Sequence, residues 1–349
     1  MRVVVVGATG NIGTSVLRSL ENEDRVESVL GVARRLPALR TPKVEWVEAD
    51  VTSDDLVPRF RGADAVVSLH WLIQPSRDLN KLWMVNVEGN VRLMRAVKAA
   101  EVPALLYSSS IGVYSPGPKD RYVGEDWARD GVRTSYYARQ KAEVERRLDR
   151  FESSEGVRVV RMRPALVFKR EAAQGIRRLF GGPFFPSFLA RPGLINLVPQ
   201  IEDLRSQVVH SYDVGEAFRL ALVNDAHGAF NLAAEPVLDA AEIGRILDAR
   251  PVPVPARFAR AGAELSWRFG LQPVPPGWLD MARQVPVMDT ARARTELGWS
   301  PQYGAGDALL DLLEGLRTGA GLDTPPLSPA TSGPMRVREI LTGVGRREP

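Results

Sequence analysis

The chain has 349 residues, of which 44% are hydrophobic and 25% charged, with a formal net charge of +4. These values predict a globular protein of one large domain or two, and the small charge excess over 46 basic and 42 acidic residues argues against nucleic-acid binding. The sequence contains no cysteine, which excludes disulfides, thiolate metal sites and cysteine nucleophiles.

The N-terminus and the apolar runs favour a soluble protein. The strand-like run RVVVV begins at Arg2 and is followed at once by glycine, which is not a signal-peptide pattern. No stretch approaches the roughly 20 apolar residues that a membrane span requires. We therefore expect a cytoplasmic protein that binds a small-molecule substrate, with no membrane, nucleic-acid or metal partner.

The first half of the chain alternates short apolar runs with helical patterns. Strands are predicted at 3–6, 29–32, 44–47, 65–69, 105–107 and 157–162, and helices at 14–20, 82–100 and 137–151. Such alternation predicts a parallel, doubly wound sheet with helices on both faces. The predicted fold class is therefore α/β, with a Rossmann-type NAD(P)-binding domain over residues 1–168.

The second half of the chain is less regular. Residues 180–200 are rich in Phe, Pro, Gly and Leu, whereas later patterns predict a strand at 207–210 and helices at 214–222, 239–249 and 257–269. We predict that 207–233 return to the Rossmann domain, and that 169–206 and 234–318 form a smaller, discontinuous substrate-binding region. The composition of 319–349 predicts a disordered tail.

A glycine-rich turn, GATGNIG, follows the first strand. Gly7 permits a tight turn, Gly10 lets a pyrophosphate approach the backbone, and Gly13 allows close packing of helix on strand. The helix that follows would offer free N–H groups to the phosphates. The candidate phosphate-binding residues are therefore Gly7, Thr9, Gly10, Asn11, Ile12 and Gly13.

The end of the second strand bears on the choice of cofactor. Proteins of this fold that bind NAD commonly have a carboxylate there, but this sequence has Ala33, followed by Arg34 and Arg35. Two guanidinium groups could bind a 2′-phosphate, which favours NADP over NAD, although NAD stays possible and the arginines could be surface residues. Asp50, at the end of the third strand, could contact the adenine.

The stretch YYARQK raises the question of which tyrosine is reactive. Residues four apart on a helix differ by about 40° and share a face, so Tyr137 lies beside Lys141, whereas Tyr136 faces away. A phenol with a pKa near 10 is a poor base, and a neighbouring ammonium should lower that pKa. Tyr137 could then exchange a proton with a substrate oxygen during hydride transfer.

Three serines, residues 108–110, end the fifth strand, where doubly wound sheets bind ligands. With the G-x-x-G-x-x-G and Y-x-x-x-K spacings, this run resembles the extended short-chain dehydrogenase/reductase family, also called the NAD-dependent epimerase/dehydratase family. The resemblance extends from Met1 to about Tyr303. Further matches are Asn86 in NVEGN, Arg163 and Pro164 in RMRPALVF, His210 and Asp213 in VVHSYDV, Asn231 in NLA, and the late LGWSP.

The resemblance implies a catalytic set of Ser110, Tyr137 and Lys141, with Tyr137 as the acid/base. It also implies a homodimer formed through the 82–100 and 137–151 helices in some relatives. Positions that would line the cofactor, besides those already named, are Val51, Leu69, Asn86, Ser108, Pro164, Val167, Tyr137 and Lys141.

The family contains several reactions. Dehydratases carry a carboxylate directly after the serine position, but Ile111 and Gly112 follow here. Ala33 and Ser206 depart from the pattern of nucleotide-sugar epimerases. We therefore predict an NADP(H)-linked oxidoreductase acting on a carbonyl/hydroxyl pair. The alternative is a nucleotide-sugar epimerase, and a third possibility is a non-catalytic NADP-binding sensor.

Candidate substrate contacts are mainly apolar. Trp71 follows the fourth strand and would lie near the nicotinamide, and Phe184 belongs to PFFPSFL at 183–189, a possible wall of the cleft. Both aromatics could equally be ordinary core residues. Gln207 is a third candidate, and Arg177 and Arg178 could receive an anionic group or could be solvated helix charges.

Overall fold

The computed structural model describes residues 1–184, 187, 192–332 and 344. Most of the predicted PFFPSFL wall and of the predicted tail beyond residue 332 lies outside these ranges. The strands of the described residues are β1 (Arg2–Val6), β2 (Ser28–Ala33), β3 (Val44–Glu48), β4 (Ala65–Ser68), β5 (Ala104–Ser108), β6 (Tyr122–Val123), β7 (Arg158–Pro164), β8 (Leu166–Phe168), β9 (Leu197–Gln200), β10 (Ser206–His210), β11 (Gly228–Leu232), β12 (Ala234–Leu238), β13 (Arg250–Pro253) and β14 (Val287–Met288).

Helices cover both faces of the main sheet, as the alternating pattern predicts. Most of these helices begin or end one to several residues beyond the predicted bounds. The first and last turns of a helix carry little hydrophobic signal, so the sequence pattern does not mark them. The α-helices are α1 (Asn11–Glu21), α2 (Val57–Phe60), α3 (Leu79–Trp83), α4 (Gly89–Ala99), α5 (Tyr136–Glu155), α6 (Ala173–Ile176), α7 (Ser211–Val223), α8 (Ala240–Leu247), α9 (Ala256–Arg268), α10 (Gly277–Gln284), α11 (Ala291–Leu297) and α12 (Ala305–Thr318).

The main sheet is parallel, with the strand order β11-β7-β5-β4-β1-β2-β3. β1 pairs with β2 on one side and with β4 on the other, so that Val3 lies between Val29 and Ala65. From β1 the strand order runs outward in two directions, through β2 and β3 on one side and through β4 and β5 on the other. This reversal opens a crevice at the carboxyl ends of β1 and β4. The predicted Rossmann-type α/β fold is confirmed.

Alternate residues of β1 enter the two hydrophobic layers that enclose the sheet. Val3 and Val5 pack in the layer that contains α1 and α7, and Val4 and Val6 pack in the layer that contains α4 and α5. All four valines are at most 2% exposed. A strand buried on both faces needs a continuous apolar run, which explains why RVVVV shows no polar alternation.

The single helix predicted at 82–100 is interrupted. A π-helical turn, Met84–Glu88, lies between α3 and α4. Such a turn holds one more residue than an α-helical turn and re-aims the side chains that follow it. It contains the buried Asn86, whose role is described below.

The segment predicted to return to the Rossmann domain is divided between two sheets. β11 pairs in parallel with β7 in the main sheet, whereas β10 pairs with β8 and β12 in a separate three-stranded sheet. The strand β7 of the main sheet ends at Pro164, which has no N–H group. The chain then turns through Ala165 into β8.

The prediction of a disordered tail from residue 319 is wrong for the part that the structure describes. Residues 320–328, which we name the C-terminal clasp, pack against the Rossmann domain, and Thr324 and Leu327 are 1% and 3% exposed. The clasp is a turn closed by hydrogen bonds from the Leu322 and Ser328 N–H groups to the Leu327 and Thr324 carbonyls. Its order depends on polar anchors rather than apolar area, so composition alone did not predict it.

Among the described residues, no helix combines the length and apolarity needed to cross a lipid bilayer.

Candidate active site

The glycine-rich turn between β1 and α1 has the geometry that the sequence predicts. Gly7 has a φ of +85°, and a Cβ atom there would lie 2.8 Å from the backbone nitrogen of His70. A Cβ atom on Gly13 would lie 2.3 Å from the carbonyl oxygen of Gly7, so helix and turn are in direct backbone contact. Gly10 is the extended residue before α1 and has no side chain that could block the first N–H groups of the helix. This cradle fits a phosphate group.

A buried lysine fixes the start of α1. The Lys169 ammonium donates to the carbonyl of Asn11 and to the hydroxyls of Thr14 and Ser15. Burial lowers the pKa of Lys169 to about 8. The Asn11 side chain donates to the Val167 carbonyl, so Val167 positions the turn through its backbone.

The ends of β2 and β3 bring charged groups together beside this turn. Burial raises the pKa of Asp50. Hydrogen bonds from the hydroxyl and N–H of Thr52, with the nearby charge of Arg34, outweigh burial, so the net pKa is lowered. Arg35 follows Arg34 in the chain, and its side chain is exposed. Val51 is buried in the core, in contact distance of Gly89.

Ser110 and Tyr137 meet at the carboxyl end of β5. The Ser110 hydroxyl accepts a hydrogen bond from the Gly112 N–H at 3.0 Å, and Ser135, two residues before Tyr137, caps α5 by accepting from the Ala138 N–H. Burial raises the pKa of Tyr137 to about 12, and a hydrogen bond from Ser110 acts in the opposite direction. The phenol is therefore protonated at neutral pH.

The two adjacent tyrosines point to different partners. The Tyr136 hydroxyl donates to the Ile73 carbonyl at 2.7 Å, and burial raises its pKa. Tyr137 lies instead on the face of α5 that carries Lys141, whose Nζ atom is 5.9 Å from the centre of the Tyr137 ring. Tyr137, rather than Tyr136, therefore lies beside Lys141, as the helical spacing predicts.

Lys141 is 3% exposed and donates to the Ser108 carbonyl at 2.7 Å and to the Tyr107 hydroxyl at 3.3 Å. Burial holds its pKa well below the usual value, with the Glu145 carboxylate acting in the opposite direction. The expectation of a lowered Tyr137 pKa is wrong in this structure, because the burial of the phenol raises that pKa and Ser110, not Lys141, is the group that acts against it.

An aromatic wall surrounds the phenol. The Trp71 ring lies edge-on to Tyr137 with centroids 5.7 Å apart, and its face lies 3.6 Å from the Lys141 ammonium. Trp278, at the start of α10, packs on the other side of Tyr137 at 4.7 Å and also contacts Phe180. Sequence analysis missed Trp278 because it lies 141 residues from Tyr137 in a segment without a motif. The wall makes this end of the cleft apolar.

Trp71 belongs to this wall, whereas the other two predicted substrate contacts differ from it in burial and partners. The Gln207 side chain donates to the Met288 carbonyl and accepts from the Met288 N–H, so it joins two strands and is a structural residue. Phe184 is 58% exposed in the part of its loop that is described. Arg177 and Arg178 are buried rather than solvated, and they bind main-chain carbonyls of Gly182, Pro326 and Ser328.

Asn86 fixes the loop after β4. Its side-chain carbonyl accepts from the Leu72 N–H at 2.7 Å, and its amide donates to the Leu72 carbonyl and to Gln140. Because its polar atoms bind protein groups, Asn86 positions the loop that carries Leu69 and Trp71. Pro164 is buried where β7 ends, beside Leu232 of β11.

A buried ion pair lies behind the serines. Arg163 donates to Glu145 through two nitrogens at 2.9 and 2.6 Å, and the Ser109 hydroxyl donates to the same carboxylate at 2.5 Å. Burial raises the pKa of Glu145, but Arg163 and Ser109 outweigh it and lower the value to about 2. The pair joins α5 to β5 and β7 directly behind Ser110.

Comparison with known proteins agrees with this geometry. The model of the NAD dependent epimerase/dehydratase family matches residues 3–233. The uncharacterized protein Rv2047c of Mycobacterium tuberculosis (strain ATCC 25618 / H37Rv) is 24% identical over 92% of this chain, and the match spans only 31% of that longer protein. Sterol-4-alpha-carboxylate 3-dehydrogenase ERG26 of Candida albicans is 25% identical over 50% of this chain and 54% of its own.

Among solved structures, the UDP-glucose 4-epimerase of Thermus thermophilus in complex with NAD is similar, with a TM-score of 0.66. It is 20% identical, and the match covers 91% of this chain and 99% of that one. Identity at this level shows that the fold is shared.

Proposed function

This chain belongs to the NAD dependent epimerase/dehydratase family, and we propose that it is an NADP(H)-linked oxidoreductase that reduces a carbonyl group. The observation that supports this most directly is the half-buried, protonated phenol of Tyr137, which interacts with Ser110 and lies on the same helix face as Lys141. A protonated acid beside an apolar wall is suited to the reductive direction, in which the substrate oxygen gains a proton.

In the proposed reaction, a bound nicotinamide supplies the hydride. Tyr137 delivers its proton to the carbonyl oxygen, and the Ser110 hydroxyl donates a hydrogen bond that stabilises the developing negative charge there. Trp71 and Trp278 exclude water from the phenol. The phenolate of Tyr137, which lies on the same helix face as Lys141, regains a proton once the product has left and water can enter the cleft.

The cradle at Gly7, Gly10 and Gly13 fits the pyrophosphate of a dinucleotide, since a Cβ atom at the first or third position would meet backbone. We assign Arg34 and Arg35 to the 2′-phosphate, because Ala33 offers no carboxylate to a ribose hydroxyl. This assignment favours NADP over NAD.

Replacing both arginines, Arg34→Ala with Arg35→Ala, should raise the Kd for NADPH by about 10–100-fold, because each guanidinium contributes a charge-assisted hydrogen bond. The Kd for NADH should stay within about twofold, since it lacks the 2′-phosphate. Titration of protein fluorescence measures both constants. Arg40→Ala, an exposed arginine of the following loop, is the matched control. Equal losses for the two cofactors would remove the NADP assignment.

The second candidate is a nucleotide-sugar epimerase, which the fold shared with the NAD-bound Thermus enzyme favours. The two functions differ in how the cofactor is held, because an epimerase must regain its hydride within one turnover. Release of NAD on denaturing the freshly purified protein would support the epimerase. Cofactor-free protein that responds to NADPH far more strongly than to NADH, and oxidises NADPH with a carbonyl substrate, would support the reductase.

A further inference from the structure

The C-terminal clasp, residues 320–328, connects two loops that are far apart in sequence. The Thr324 hydroxyl donates to the Thr9 carbonyl at 2.9 Å, in the glycine-rich turn after β1. One residue earlier, the Asp323 carbonyl accepts from the Ala38 N–H at 3.1 Å, in the loop after β2. The clasp therefore bridges the two loops at the carboxyl ends of neighbouring strands.

The clasp is also held from its other side. The Arg178 guanidinium, only 7% exposed, donates to the Pro326 carbonyl at 2.7 Å and to the Ser328 carbonyl at 3.0 Å. Leu327 is buried between these anchors. Four hydrogen bonds, two of them from one buried arginine, thus fix the position of the bridge.

The position of the bridge relates it to the cofactor. The turn after β1 would hold the pyrophosphate and the loop after β2 the 2′-phosphate, so a segment that joins them borders the adenosine ribose that lies between. The clasp uses the Thr9 carbonyl and the Ala38 N–H. It makes no hydrogen bond to the first N–H groups of α1, which a phosphate would need. The clasp therefore lies beside the expected ligand and does not occupy the phosphate position.

We propose that the C-terminal clasp is the outer wall of the adenosine half of the cofactor site, and that Thr324 locks it onto the glycine-rich turn. The ligand of this wall is an adenosine carrying 5′- and 2′-phosphates. This proposal rests on the proposed function, because it assumes that a dinucleotide binds across the turn.

The test is binding of adenosine 2′,5′-bisphosphate, which has no nicotinamide and so does not depend on Tyr137. Thr324→Val keeps the shape of the side chain and removes its hydrogen bond, and it should raise the Kd about fivefold. Thr318→Val is the matched control, since the Thr318 hydroxyl bonds only within its own helix at Glu314 and is exposed. An unchanged or lower Kd in Thr324→Val overturns the proposal.

Hydrogen exchange on the unmodified full-length protein provides a second test that needs no variant. Saturating adenosine 2′,5′-bisphosphate should slow exchange in peptides that cover both the glycine-rich turn and residues 320–328. Slower exchange in the turn alone overturns the clasp proposal but supports the proposed cofactor site. Failure of the wild-type protein to bind the probe at millimolar concentration overturns both.

Discussion

Tyr137→Phe should lower kcat by about 10²–10⁴-fold with any carbonyl substrate that the wild-type protein reduces, because the substrate oxygen then loses its proton donor. The hydrogen bond that acts on the phenol comes from Ser110 rather than from the glycine-rich cradle, so the Kd for NADPH should stay within about threefold. The measurements are NADPH oxidation followed by absorbance, and titration of protein fluorescence with NADPH.

Tyr136→Phe is the matched control on the adjacent residue. Its hydroxyl binds the Ile73 carbonyl, so its loss should cost about 1 kcal/mol of stability and leave kcat within a few-fold. Full activity in Tyr137→Phe, or equal losses in the two variants, would exclude Tyr137 as the proton donor.

Glu145→Gln should lower the free energy of unfolding by about 3–5 kcal/mol, because it leaves the Arg163 guanidinium buried without its counter-charge. Both side chains are at most 2% exposed, so water cannot replace the lost partner. Denaturant unfolding measures the loss. Glu143→Gln, on the same helix with a partly exposed ion pair to Arg147, should cost about 0–1 kcal/mol. A similar cost for the two substitutions would contradict this account.

The same carboxylate should also shape acid unfolding. The folded-state pKa of Glu145 is about 2 against an ordinary value of 4.5. A carboxylate whose pKa is lowered by folding contributes stability that is complete above pH 4.5 and is lost as the pH falls towards 2. Unfolding free energies of the wild type and Glu145→Gln should therefore converge between these two pH values. A difference in unfolding free energy that stays constant with pH would show that the ion pair between Glu145 and Arg163 does not cause the pH dependence.

Sequence patterns predicted the main sheet because its strands are buried on both faces and therefore show continuous apolar runs. They did not predict the π-helical turn at Asn86, since one additional residue leaves hydrophobic spacing almost unchanged. They also failed for the C-terminal clasp. Thr324 and Arg178 anchor that segment through main-chain carbonyls, and such bonds leave no periodic signal.

The local parts of the site were predictable, and the distant contacts were not. Spacing alone separated Tyr137 from Tyr136, because both belong to one helix of fixed geometry. The sign of the Tyr137 pKa shift depends on burial by Trp71 and Trp278, which tertiary packing sets. Gln207 was misassigned for the same reason, since its partner Met288 is remote in sequence.

The two hydrogen bonds between the Asn86 side chain and the Leu72 main chain have a kinetic consequence for the indole of Trp71. Both main-chain groups of Leu72 are bonded to one side chain, so the backbone next to Trp71 is fixed. Because that backbone is fixed, the Trp71 ring can move off the Lys141 ammonium by rotation about its own side-chain torsions, a faster class of motion than the opening of a loop.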